Sequence, residues 1–383
     1  MSIKNAIRAV FLFLSSYGVS IVLLFLLLLL TLFGTLEQMH IGLHEAQKKY
    51  FESLFLVHDF FGIPVPLPGA YLLMTLLFIN LLCGGILRAR KEWRRPGMLI
   101  AHAGMLFMLL AGAVTYHKAD SGHLTLYEGE ESNEFQSYYE WEISIAEAGG
   151  GAQLIIPGDD FASLGKGESR SFYADGLPFE LRLSGFEPNA RPMNAPNSPD
   201  AVDGVVLVGQ PRDVEAEGNV AGAYAEVVEE GSNTAQRGVL WGLAQAPWSV
   251  QAGGSTWTVD LRRKRWQLPF TVELDKFHRD LHPGTMMAAN FSSDVTTTEE
   301  GVSRKVEIKM NEPLRDRGYT LFQSGWGPQD AGPNERLFST FSVVRNPADQ
   351  WPLYACYIVT AGLVMHFLQK LIAHIRLQNR RYS

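Results

Sequence analysis

Cysteine is nearly absent from this 383-residue chain, which holds only Cys83 and Cys356. No C-x-x-C pair occurs, which excludes a thiol–disulfide exchange centre and a C-x-x-C-H attachment site within the chain. G-x-S-x-G, H-E-x-x-H and a glycine-rich phosphate loop are missing as well, which argues against a familiar membrane protease or ATPase. Acidic charge is scarce at the two ends. Residues 1–116 and 351–383 together hold 13 Lys/Arg but 5 Asp/Glu, a net of +8, while residues 117–350 hold 20 Lys/Arg and 35 Asp/Glu, a net of −15. The overall charge of −7 describes neither part. A single water-soluble globule is excluded, because the apolar residues lie in long blocks. Nucleic-acid binding has no support, since the large polar block is acidic. Disorder is not expected from a chain with 22 Phe, 13 Tyr and 8 Trp.

Four stretches lack charge. One lies between Arg8 and Glu37, and its length predicts a span over Val10–Phe33. It exceeds a signal-peptide core, and no small-x-small cleavage site follows. The second lies between Asp59 and Arg88, where Pro64, Pro66 and Pro68 make the start irregular and leave Gly69–Leu87 as the helix. The third and fourth are Gly97–Tyr116 and Trp351–Gln369. Lys4 and Arg8, then Arg88, Arg90, Lys91, Arg94 and Arg95, then Arg376, Arg380 and Arg381 all fall on one side of a four-span protein. The positive-inside rule makes that side, and both termini, cytoplasmic. Residues 117–350 then lie outside. With spans about 30 Å long, Cys83 and Cys356 sit near opposite membrane faces and cannot pair.

Residues 37–61 read as an amphipathic helix: Leu43, Gln47, Tyr50, Leu54 and His58 recur at helical spacing opposite Glu45, Lys48, Lys49 and Glu52. It either lies on the membrane surface or packs under the outer domain. The outer block alternates apolar and polar residues in Phe179–Leu183, Gly204–Gly209, Ser255–Leu261, Phe270–Leu274, Lys305–Met310 and Leu337–Val344, the pattern of half-buried strands. Gly149–Ser169 and Pro188–Asp203 read as loops. The expected class is an α+β membrane protein: four transmembrane helices, with an antiparallel β sandwich or open barrel between the third and fourth.

Ionisable groups inside spans are costly and mark partners, pathways or cofactors. Two qualify. His102 lies five residues into the third span and His366 four residues before Lys370 in the fourth, which puts both roughly 6–8 Å inside the cytoplasmic boundary. Equal depth suits a pair of axial ligands to one haem, for which neutral imidazole is the common protein ligand. Ala101 and Gly104 leave room beside His102 for a flat macrocycle or a close helix. A histidine hydrogen-bonded to a neighbouring helix is the simpler alternative. His40 and His44 have a metal-compatible spacing but no third ligand nearby. His117 and His123 flank the outer end of span three. Arg262-Arg-Lys-Arg265 beside Trp266 is a basic run in an acidic domain, read as a solvated hairpin end or an anion-attracting patch.

Longer segments carry a resemblance. Lys309-Met-Asn-Glu-Pro-Leu-Arg-Asp-Arg-Gly-Tyr-Thr-Leu-Phe-Gln-Ser324 resembles the N-x-P-L…G-Y…Y-Q-S segment of the ResB (CcsB) family, with Phe322 where Tyr is common. Phe277–Asp294, with His282-Pro-Gly-Thr285 and Asn290-Phe-Ser-Ser-Asp294, and Phe341-Ser-Val-Val-Arg-Asn-Pro347 resemble two further segments. Phe33-Gly-Thr35 and Asn80-Leu-Leu-Cys83 are shorter similarities. Gly34-Thr-Leu-Glu-Gln38 and the His40/His44 pair depart from the family pattern. The resemblance covers nearly the whole chain. It implies a System II cytochrome c biogenesis protein of the bacterial inner membrane, working with a CcsA (ResC) type membrane protein. Such a pair moves haem b outward and joins it to the C-x-x-C-H thiols of apocytochrome c. It further implies that His102 is an axial ligand whose partner histidine belongs to CcsA. The chain has no Trp-rich WWD motif, so it resembles the ResB half alone, without ligase activity of its own. Two other readings stay open: a membrane cytochrome b with haem between His102 and His366, and a cofactor-free membrane-anchored binding protein.

Overall fold

The structure is a computed structural model that describes residues 3–60, 62–89, 96–150, 153–229, 235–281, 288–329 and 335–382. The chain forms two compact units, Met1–Asp120 with Arg345–Ser383, and Ser121–Val344.

The first unit is helical. Its helices are α1 (Ile3–Leu14), α2 (Tyr17–Ile41), α3 (Leu43–Ala46), α4 (Ala70–Leu81), α5 (Gly97–Lys118) and α6 (Trp351–Tyr382). Among the described residues, four stretches are long and apolar enough to cross a membrane: Tyr17–Ile41, Ala70–Leu87, Gly97–Lys118 and Trp351–Asn379. The chain is therefore read as a membrane protein. The first span starts later than Val10, because the helix breaks at Ser15 and Ser16. Ser16 is extended, and its Oγ accepts the Val19 amide at 3.3 Å. Apolar residues on both sides of the break hide it from hydropathy. From the second loop's basic cluster, Arg90, Lys91, Arg94 and Arg95 lie outside the described residues, as does His282-Pro-Gly-Thr285.

The expected helix over 37–61 is corrected. Gly42, at φ +83°, ends α2, and α3 leads into a π-helical turn over Gln47–Phe51. Phe55–Phe60 then pairs antiparallel with Ile63–Pro68. Leu54, Phe55 and His58 fit a helical period, but Pro64, Pro66 and Pro68 fit alternation equally well. Proline is tolerated there because a two-stranded hairpin has only edge strands.

α5 and α6 pack through small residues. A methyl group on Gly362 would meet the Ala101 amide nitrogen at 2.5 Å, and one on Gly104 would meet Val359 Cγ2 at 2.7 Å. Such close approach is how apolar helices associate without a hydrophobic driving force between them.

The second unit is antiparallel β. A ten-stranded sheet runs in the order Val302–Lys309, Ala288–Glu299, Ser255–Leu281, Glu131–Glu147, Asp120–Tyr127, Phe338–Arg345, Tyr319–Gly327 and Leu314–Asp316. Trp248–Ala252 and Leu154–Pro157 pair onto the two long strands. The ends of this sheet nearly meet: Arg304 on the first strand reaches Asp316 on the last at 2.9 Å. A four-stranded sheet (Ala235–Trp241, Gly222–Glu229, Phe179–Glu187, Ser169–Phe172) stands apart from it. The sequence offered a sandwich or an open barrel, and the unit has the features of both. One core joins Ile143, Ile145, Val259 and Leu261 to Leu181, Leu183 and Ala223 of the smaller sheet. The other fills the nearly closed barrel with Phe135, Val272, Leu274, Ile308, Leu321 and Phe341. The strands Glu131–Glu147 and Ser255–Leu281 run through both cores, and their register slips between Arg263 and Arg265, where one core gives way to the other. Two expected loops carry short strands, Leu154–Pro157 and Ala190–Asn194.

Candidate functional site

The strongest site lies in the helical unit. After Leu81 the backbone of α4 continues as π-helical turns over Leu82–Leu87, a local geometry that is common at functional sites. Gly84 and Gly85 fall in this stretch. A methyl group on Gly85 would lie 2.5 Å from Cδ2 of His102, so only glycine lets the imidazole of α5 sit against this backbone. His102 Nδ1 lies 2.7 Å from the carbonyl oxygen of Met98. A carbonyl can only accept, so Nδ1 carries the proton and Nε2 keeps its lone pair. This is the arrangement of a metal-binding histidine, whose second nitrogen donates to a carbonyl or carboxylate.

His102 lines a cavity of about 1130 Å³, with Asn80, Gly85, Arg88, Met105 and Cys356 among the other lining residues. That is slightly above the usual range for small-molecule sites, roughly 300–1,000 Å³. A polar node closes one side. Asn80, buried within its span, donates to the carbonyls of Leu14 at 2.5 Å and Ser16 at 3.2 Å and accepts from Ser20 Oγ at 2.6 Å. Asn80 therefore braces the break between α1 and α2 from a neighbouring span, bonding a carbonyl on each side of it. Arg88 Nη1 donates to Ser15 Oγ at 3.1 Å. Asn80 and Arg88 read in sequence as a short similarity and a topology marker. Their part in the cavity depends on inter-helix contacts that one sequence does not reveal.

His366 is placed differently. A methyl group on Gly97 would lie 2.6 Å from the His366 amide nitrogen, so His366 is level with the start of α5. His102 is five residues further along, about 7–8 Å at the helical rise. The wall that α6 gives to the cavity is Cys356, Val359 and Thr360, without His366. Both cysteines are free.

The remaining histidines have local roles. Gly42 separates His40 from His44, so the two do not share one helix. Among the described residues, no group of three or more His, Cys, Asp and Glu could hold a metal ion. His117 Nε2 and the Tyr71 hydroxyl lie 3.0 Å apart. His58, on the hairpin, stacks on Phe33 at 4.7 Å and meets the Tyr50 hydroxyl at 2.6 Å. Tyr50 is fully buried and donates to Glu37, which also takes Lys49 Nζ at 2.5 Å. Burial, and then the Glu37 carboxylate, push the Tyr50 phenol upward. This cluster ties the hairpin to the end of α2.

In the β unit the basic run is not a hairpin end. It lies mid-strand and is paired: Arg262 with Glu142 at 2.9 Å, Lys264 with Glu140 at 2.6 Å and Arg265 with Glu134 at 3.3 Å. Arg263 lies over the Trp141 ring at 4.1 Å and donates to the carbonyls of Glu217 and Asn219. His123 Nε2 lies 2.9 Å from Gln136 Nε2, and burial, then Arg263, lower the His123 pKa.

The resemblance segments build the barrel. Arg317 and Gly318, at φ +48° and +82°, form a two-residue turn between Leu314–Asp316 and Tyr319–Gly327, the conformation of a type I′ hairpin. Tyr319 packs edge-on against Phe135 and Phe270. Ser293 Oγ donates to Gln323 Oε1 at 2.7 Å, and Gln323 Nε2 donates to Ser339 Oγ at 2.7 Å; all three residues are buried.

Residues 238–335, wholly within this unit, match the model of the ResB-like family. Comparison with curated proteins returns no match. The family match supports a ResB/CcsB assignment and suggests a role in cytochrome c biogenesis.

Proposed function

We propose, with ResB/CcsB membership as the premise, that this chain is the haem-handling subunit of a cytochrome c synthase. In this reading, haem is cargo, held within the membrane by His102 and passed to apocytochrome c together with a CcsA/ResC-type membrane protein. The observation that supports it most is the state of His102: Nδ1 is committed to the Met98 carbonyl and Nε2 is left at a large cavity. Bound haem supplies an iron with an open axial position and two vinyl groups that accept thiols. The chain has no C-x-x-C, so the thiols that form the thioether bonds come from the apocytochrome. What its own residues contribute is binding and orientation. Gly85 admits the ring, Met98 fixes the tautomer, and the methionines of α5 give a dry, adaptable wall. The second axial ligand is assigned to a partner histidine, because His366 lies outside the cavity lining. A cytochrome b with haem between His102 and His366 therefore draws no support from the packing. The localisation that follows is the bacterial inner membrane, with the acidic β unit on the outer side, where its net charge favours encounter with a basic apocytochrome.

The test is the haem spectrum of the purified full chain, with and without its CcsA-type partner. His102→Ala should lower haem content while the protein stays folded, and added imidazole should partly restore it. Unchanged haem occupancy in that variant refutes the assignment. Bis-histidine haem that survives without a partner and disappears with His366→Ala supports the cytochrome b reading instead.

A further inference from the structure

We infer that Arg88 is the recognition residue for the carboxylate edge of a flat tetrapyrrole whose iron is held by His102, so that the cavity selects an acidic macrocycle over a neutral one. The inference rests on the haem-handling reading and deepens it. Arg88 follows Gly85, the residue pressed against the His102 ring, by three positions on the same helical stretch. That is roughly 4–5 Å along the axis. Imidazole and guanidinium thus line one cavity from adjacent levels.

The charge accounting points the same way. Among the described residues, Arg88 is the one Lys or Arg in the cavity lining, and no Asp or Glu lines it. A cation at the end of an apolar helix requires an anion, a carbonyl or water. Arg88 spends Nη1 on Ser15, at 3.1 Å to Oγ and 3.4 Å to the carbonyl oxygen. Guanidinium carries five N–H donors, so Nε and Nη2 keep three, without a partner among the described residues. Two N–H groups in a fixed fork match a carboxylate. Ser15 holds the fork in place, and Asn80 in turn holds the break on which Ser15 sits. Much of the remaining wall, with Leu24, Leu77, Leu81, Met105 and Leu109, is apolar, and its other polar members, Ser16, Tyr17, Ser20 and Thr360, are uncharged. A ligand that fills the site therefore has an apolar body, a metal for imidazole and an anionic rim at Arg88.

The test compares ferric haem with its dimethyl ester, which has the same ring and iron but no free carboxylates. Both are titrated into the full-length chain in lipid nanodiscs, with imidazole supplying the second axial ligand, and the Soret band is read. Arg88→Gln removes the charge, while Asn80 still holds the helix break through the Leu14 and Ser16 carbonyls. The expected result is that wild type prefers haem to the ester by about tenfold or more, the scale of a charge-assisted hydrogen bond. Arg88→Gln should lose that preference with ester binding unchanged, and Arg88→Lys should regain part of it. Equal weakening of both ligands, or unchanged haem binding, overturns the inference while the reading of His102 stands, provided His102→Ala, titrated beside wild type without imidazole, loses the spectrum that wild type shows. If His102→Ala keeps it, or wild type binds neither compound, both fall.

Discussion

Replacing Gly85 by alanine separates the stability of the helical unit from its ligand geometry. The added methyl would lie 2.5 Å from His102 Cδ2, 3.0 Å from its Cγ and 3.1 Å from Leu81 Cδ1. Carbon atoms in contact sit at about 3.5–4.0 Å, so the imidazole must withdraw by about 1 Å. The 2.7 Å bond from Nδ1 to the Met98 carbonyl then stretches beyond hydrogen-bond range. Its loss costs about 1 kcal/mol. The gain from removing a glycine inside a helix is up to about 1 kcal/mol. The two nearly cancel, so the melting temperature in detergent should stay within a few degrees of wild type. Ligation should not. Once Nδ1 loses its acceptor, neither tautomer nor ring plane is fixed, and losing such an outer partner lowers metal affinity about 10–100-fold. The assay is haem titration of the full chain with added imidazole, beside a thermal melt of the same preparation. A Gly85→Ala protein that binds haem as tightly as wild type, with the same Soret band, refutes the reasoning that Gly85 positions His102.

Three further outcomes follow from other parts of the molecule. Gln323→Leu removes the amide between Ser293 and Ser339 and the bond to the Gly325 carbonyl at 3.1 Å; the β unit should lose about 2–3 kcal/mol, seen as a lower urea midpoint by tryptophan fluorescence. Burial and then Arg263 hold the His123 pKa below its ordinary 6.5, so the unfolded chain takes up the proton first. Stability of the β unit should be level above pH of about 6.5 and fall as the pH drops below it, and His123→Gln should flatten that slope between urea midpoints taken at about pH 7.5 and 5.5. Gly362→Leu places a side chain against the Ala101 amide nitrogen, 2.5 Å from its Cβ; backbone cannot yield as a side chain can, and a loss of about 1–3 kcal/mol should lower the thermal midpoint of the helical unit.

The spans were legible because a charge-free run of about 20 residues has few other uses. Their interruptions were not. Ser15 and Ser16 break a helix between Leu14 and Tyr17, and nothing in hydropathy marks a break whose partner, Asn80, lies 64 or more residues away. The hairpin Phe55–Pro68 was hidden by a run of apolar residues that fits both periods. Short strands such as Phe179–Leu183 announced themselves by alternation. The length of Ser255–Leu281 did not, because Arg262-Arg-Lys-Arg265 imitates a turn until the carboxylates of Glu142, Glu140 and Glu134 are seen on the facing strand. At the site, His102 stood out as an ionisable group in a span. His366 stood out in the same way, but its level beside the start of α5, outside the lining of the His102 cavity, comes from how α5 and α6 pack, which counting from helix ends does not reveal.

The family match and the candidate site occupy different units, and the physics explains the division. In the matched segment residue identity follows from backbone and burial: Gly318 supplies a left-handed turn, Tyr319 fills the barrel between Phe135 and Phe270, and Gln323 satisfies two buried hydroxyls. Each position admits few alternatives, so the segment is recognisable. The His102 cavity asks for one imidazole, one glycine opposite it, one guanidinium and an apolar lining that many combinations of Leu and Met can fill. Such a site resembles any group of membrane helices except at three or four residues. Two consequences can be separated by experiment. Variants of the barrel segment should alter folding of Ser121–Val344 while leaving the axial-ligand spectrum of His102 unchanged, since the two units have separate cores. A Gln323→Leu protein whose haem spectrum shifted with its urea midpoint would show that the barrel holds the ligand geometry, and the division drawn here would be wrong.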